Sequence, residues 1–188
     1  MRCSPSQLAP AYDGVLELRG VAAIAPVSNV DLLAPVIPGT PGQGYLVMAL
    51  YGLNAVEPGF NPSTVLAQLD PAKGPGTADR LPQRNPRRLR AVDGPATAER
   101  RRAAPPPVVR KLAQYDNPAQ SAPSAPILIV QGTADAAVPY EITADPLLDQ
   151  LRAYSQPVRF VPLEGETHDG AVFASTTLVA DWIATRFA

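Results

Sequence analysis

The chain has 188 residues, 46% of them hydrophobic and 18% charged, which is the composition of one globular domain with a core of useful size. Its net charge of −1 gives no whole-chain reason to expect a nucleic-acid or membrane-surface partner. A single cysteine, Cys3, excludes an internal disulfide, and no stretch approaches the roughly 18 apolar residues of a membrane span.

The first residues, Met1-Arg2-Cys3-Ser4-Pro5-Ser6, are not followed by the apolar core of a signal peptide, so no export signal is expected there. Leu16 to Ala25 ends in an apolar run stopped by Pro26 and predicts a buried strand. Asn29 to Pro38 predicts a proline-punctuated loop or a short helix. Gly42 to Val56 is apolar nearly all round, which predicts a buried helix. Its lead-in, Gly39 to Gly44, lacks the terminal Gly-Lys-Ser/Thr of a phosphate loop. Pro58 to Pro75 reads as turn-rich.

Asp79 to Arg102 holds eight arginines against Asp79, Asp93 and Glu99, with no aromatic residue and few large aliphatics. Such a segment buries too little apolar surface to offset its ordering entropy, so a poorly packed excursion is expected. It also lacks the interleaved aromatics that stack nucleic-acid bases. A basic interaction protein built around Arg80 to Arg102 is the alternative it raises, and salt-sensitive binding to polyanions would mark it.

Order is expected again at Pro107 to Tyr115, a helix with proline in its first turn. Pro126 to Gln131 is an aliphatic run and predicts a buried strand. Ile142 to Tyr154 predicts a helix with Leu147, Leu148 and Leu151 on one face. Val158 to Leu163 predicts a second strand. Ala174 to Phe187 predicts a closing amphipathic helix with Leu178, Trp182 and Ile183 as its stripe. Strand, helix, strand, helix implies parallel strands with crossover helices.

In open parallel sheets the functional residues gather beyond the carboxyl ends of the strands. Asp135 follows the first of the two late strands and His168 follows the second, so both are placed at one sheet edge. A carboxylate there can accept the Nδ1–H of the imidazole, fix its tautomer and stabilise the imidazolium formed when Nε2 takes a proton. The order acid then histidine is that of α/β-hydrolases, in which serine comes first. His168 is the only histidine and thus the only candidate imidazole base. One histidine and one cysteine make a tightly held zinc site improbable. Tyr45, Leu46, Met48 and Leu50 are candidates for an acyl pocket, with core packing as the alternative. Asp116 and Asp169 read as solvent or capping residues.

The segment PILIVQGTADAAVP, with ETHDG and DWIATRF after it, resembles the C-terminal third of the secretory lipase family of α/β-hydrolases. LELRGVAAIAPVSNVDLL resembles the stretch that follows the nucleophile helix in that family, and PVVRKLAQYDNPAQSAPSAP the approach to the acid-bearing strand. The resemblance covers residues 7–56 and 107–188. It implies an α/β class: a single partial α/β-hydrolase domain, a mostly parallel sheet with flanking helices, and an irregular lid or insertion over residues 57–106. It implies hydrolysis of carboxylic esters, triacylglycerol or other hydrophobic acyl esters, with Asp135 as triad acid and His168 as triad base. It implies no cofactor and no metal, and an extracellular setting for the parent family.

The resemblance also has a gap. No serine in the sequence has glycines at both −2 and +2, so the Gly-x-Ser-x-Gly elbow is missing. Ser4 and Ser6 sit near the expected place, but the proline and bulky residues of RCSPSQ do not suit the sharp turn an elbow needs. The sequence therefore predicts a truncated form that is inactive alone, with a non-catalytic pseudo-hydrolase or binding module as the alternative. Self-association through an exposed sheet edge is the expected partner mode.

Overall fold

A computed structural model of the chain describes residues 9, 11–15, 17–69 and 104–188. Ser4, Ser6 and the arginine-rich segment Asp79 to Arg102 lie outside the described residues.

The described elements are β1 (Val21–Ile24), α1 (Val30–Leu33), α2 (Gln43–Val56), α3 (Pro62–Leu69), α4 (Pro106–Asp116), β2 (Ile127–Gly132), α5 (Tyr140–Arg152), β3 (Val158–Leu163), α6 (His168–Ala174) and α7 (Thr176–Ala184). The three strands form one parallel sheet in the order β1-β2-β3. All six residues of β2 are buried, as expected of an aliphatic strand covered on both faces. The period of two divides its side chains cleanly. Ile127 and Ile129 pack with Leu147, Leu148 and Leu151 of α5, while Leu128 and Val130 pack with Trp182, Leu178 and Val179 of α7.

A second core lies among the helices. Val30 and Leu33 of α1, Leu46, Leu50 and Leu53 of α2, Val65 of α3, and Val109 and Leu112 of α4 enclose it. Val138, on the loop after β2, belongs to this helical core. The loop that carries Asp135 is thereby rooted in the sheet at one end and in the helices at the other.

Several sequence expectations are corrected. The first strand is only four residues long, and its turn places Ala25 and Asn29 in the left-handed region, at φ 46° and 49°. Asn29 tolerates this conformation better than alanine does, and its Oδ1 accepts a hydrogen bond from Gln150 Nε2 (2.8 Å). Residues 30–33 take the short-helix option. Helix α2 is not buried all round: Leu46, Leu50 and Leu53 face the core, but Met48 is 69% exposed. The stretch expected to be turns contains α3, whose Val65 is buried in the helical core. The closing helix expected over residues 174–187 is the shorter α7, and a separate helix, α6, precedes it across the fully buried Ser175; Ile183 lies outside the stripe at 43% exposure. Ser175 Oγ donates to the Val172 carbonyl, and Thr176 Oγ1 to Val172 and Phe173. Such bonds to the preceding turn compete with continued helix.

Candidate active site

The chain reverses out of β2 at Gly132 and out of β3 at Gly165, and the two resulting loops are stitched together. Thr133 N–H donates to the Leu163 carbonyl (3.0 Å), Ala134 N–H to Glu166 (3.0 Å), and Gly165 N–H to Thr133 Oγ1 (2.8 Å). The approach is so close that a Cβ at residue 132 would run into the Glu166 carbonyl oxygen, which explains glycine there. Gly42, before α2, lies against the Ala137 carbonyl in the same way. Both glycines permit backbone contact around the Asp135 loop.

Asp135 is 4% exposed, and its carboxylate is fully engaged. Oδ1 accepts from the backbone N–H groups of Ala137 (2.9 Å) and Val138 (2.8 Å). Oδ2 accepts from Gln131 Nε2 (2.9 Å) and lies 2.7 Å from His168 Nδ1. An ionised carboxylate only accepts, so Nδ1 is the donating nitrogen and Nε2 of the neutral ring carries the lone pair. No described residue hydrogen-bonds Nε2.

His168 is the first residue of α6, held by a capping turn in which Thr167 Oγ1 accepts from Gly170 N–H (3.1 Å). Its side chain keeps 20% of its surface exposed, against none for Asp135. The Tyr45 ring lies 5.1 Å from the imidazole, tilted by 43°. Burial, then the charges of Asp169 and Asp135, push the Tyr45 phenol above its ordinary pKa. Tyr45 is thus a neutral wall beside the imidazole. Leu46 and Leu50 belong to the helical core, and Met48 faces solvent.

The sequence placed Asp135 and His168 at one edge of the sheet, and the structure brings them into contact there. It adds Gln131, and it sets Tyr45, an acyl-pocket candidate in the sequence, beside the imidazole. Gln131 lay inside an apparently structural strand, and its only signal was an amide ending a buried aliphatic run. Tyr45 lies 123 positions before His168, and no spacing rule connects the two.

Other features do not complete the site. Ser28, after β1, and Ser175, between α6 and α7, are both fully buried, so neither is presented to a substrate. A groove of about 750 Å³ lined by Ile127, Arg159, Leu178, Asp181, Trp182 and Arg186 lies at the amino-terminal ends of β2 and β3. It is at the wrong end of the strands to serve Asp135 and His168. Among the described residues no group of three His, Cys, Asp or Glu side chains is placed to hold a metal ion. Among the same residues no helix is long and apolar enough to cross a membrane. Comparison with protein-family models, with curated proteins and with solved structures gives no match, so the site is read from its own geometry.

Proposed function

We propose that Asp135 and His168 are the acid–base half of a serine-hydrolase triad for carboxylic esters, as the resemblance to secretory lipases suggests. The observation that carries this reading is the 2.7 Å contact between Asp135 Oδ2 and His168 Nδ1 beyond the carboxyl ends of adjacent parallel strands. In that role Nε2 takes the proton of a serine hydroxyl as the oxygen attacks the ester carbonyl. Asp135 stabilises the imidazolium, which then protonates the departing alcohol. Water repeats the cycle on the acyl-enzyme. Hydrophobic acyl esters are the substrate class, and the chemistry calls for no cofactor.

The 188 residues supply no serine in a glycine-flanked elbow. The backbone N–H after the nucleophile, one of the two oxyanion donors, is missing with it. The chain by itself is therefore expected to be catalytically silent, since triad members act as a unit and losing the nucleophile costs orders of magnitude in rate. That absence also favours the second reading, a non-catalytic pseudo-hydrolase that keeps the pair as a structural element.

The test is turnover of short-chain p-nitrophenyl esters by the purified chain, beside labelling with a fluorophosphonate. The expected result is a rate no higher than that of His168→Ala and no labelled serine. Labelling of Ser4 or Ser6 that disappears in His168→Ala would mean that an unorthodox nucleophile is in use.

A further inference from the structure

We infer that Gln131 is a positioning residue that holds the Asp135 carboxylate in line with His168. The assignment rests on the reading of Asp135 as the orienting acid. Gln131 is fully buried at the carboxyl end of β2, and its Nε2 reaches two acceptors, Asp135 Oδ2 (2.9 Å) and the Val138 carbonyl (3.1 Å). Both partners only accept, so the amide orientation is decided by chemistry: the reversed amide would aim its oxygen at a carboxylate and a carbonyl.

The opposite end of the amide is the telling part. Gln131 Oε1 is buried and has no hydrogen-bond partner among the described residues. An orphaned buried acceptor is destabilising, and native proteins hold few of them. A side chain serving packing alone is better made as methionine or leucine, which fit a buried strand end without an orphan. The amide's gain is in what its two protons do. The backbone N–H groups of Ala137 and Val138 hold Oδ1 only, so Oδ2 depends on side chains for its placement. Gln131 fixes Oδ2, the oxygen that faces Nδ1, and ties it to the Val138 carbonyl. One side chain thereby keeps the acid oxygen on the imidazole.

The sole histidine makes the test direct, because the imidazole signals in a nitrogen–proton NMR spectrum of the full chain belong to His168 alone. The unaltered chain should show the Nδ1–H tautomer, with a low-field proton sheltered from exchange. In Gln131→Met that proton should be lost to exchange and the tautomer ratio should move severalfold toward Nε2–H, in protein that still unfolds cooperatively. Gln131→Glu, nearly identical in shape, separates loss of the clamp from loss of packing. Its carboxyl can donate one proton when neutral and none when ionised, so the signal should weaken reversibly as pH rises.

A spectrum unchanged from wild type in either folded variant would overturn the assignment. So would failure of both variants to fold, because Gln131 would then be a folding residue. Absence of the Nδ1–H tautomer in the unaltered chain is a different failure. It would sink the Asp135–His168 pair itself and, with it, the proposed function.

Discussion

Asp135 satisfies four donors from three different places: the strand end through Gln131, its own loop through Ala137 and Val138, and the neighbouring strand's helix through His168. This arrangement depends on backbone contact at Gly132. Gly132→Ala must push the Glu166–Thr167 backbone away, and His168 follows directly in chain. The expected cost is about 1–3 kcal/mol, in the range of overpacked positions, measured as a lowered denaturant midpoint at unchanged m-value. Tyr45 makes a pH prediction. Its raised pKa means that the folded state favours the neutral phenol. The stability this contributes is present below the unfolded tyrosine value of about 10 and is lost as pH rises through the folded value. Ultraviolet titration should show Tyr45 among the late-ionising tyrosines, with Tyr140, also pushed up by burial first, beside it. Tyr45→Phe should remove one late component and leave the other; an unchanged titration curve would contradict the environment described. Asp135 and His168 were legible because strand-end position and residue type coincide. Gln131 was not, and Tyr45 was legible only as a pocket candidate and not as a neighbour of His168, because both placements arise from tertiary contact.

The elements with strong local signals are the ones sequence located best. Strand β3 falls at residues 158–163 as expected, and β2 begins one residue later and ends one residue later than its aliphatic run. Leu147, Leu148 and Leu151 face the sheet because their helical spacing leaves no other stripe to bury. The misreadings have physical causes. Apolarity all round α2 did not reveal that only one side meets other helices, which is a property of its neighbours. Helix α3 was hidden behind prolines at 58 and 62, yet Pro62 begins the helix, where its missing N–H costs nothing. The break at Ser175 depends on hydroxyls that turn back on the preceding carbonyls. The packing of β2 against α7 predicts that Leu128→Ala, at a position with no exposure, costs about 2–5 kcal/mol in an equilibrium unfolding experiment. The lone tryptophan, Trp182, lies in the same cluster, so its fluorescence follows the loss. A change below 1 kcal/mol would mean that the α7 face of the sheet is not packed as described.

At the scale of the molecule, a three-stranded parallel sheet and a helical core meet at the loop between Gln131 and Val138, and the Asp135–His168 pair sits at that junction. Parallel sheets are ordinarily enclosed, and the two strands that are outermost among the described residues carry different protection. β3 has Pro162, which lacks an N–H, and the exposed Arg159, whereas β1 is Val-Ala-Ala-Ile. Self-association through β1 is the expected consequence, and light scattering that reports a monomer at every concentration would remove it. The α/β class was legible from the order of elements alone. The proposed functional class rests on the resemblance to secretory lipases and on one contact. The most direct measurement of the central claim is therefore the nitrogen–proton NMR spectrum of His168 in the unaltered chain and in Asp135→Asn. The account predicts a protonated Nδ1 with a low-field, exchange-protected proton in the former and its loss in the folded variant. An Nε2–H tautomer in the unaltered chain, or a spectrum indifferent to Asp135→Asn, would contradict it.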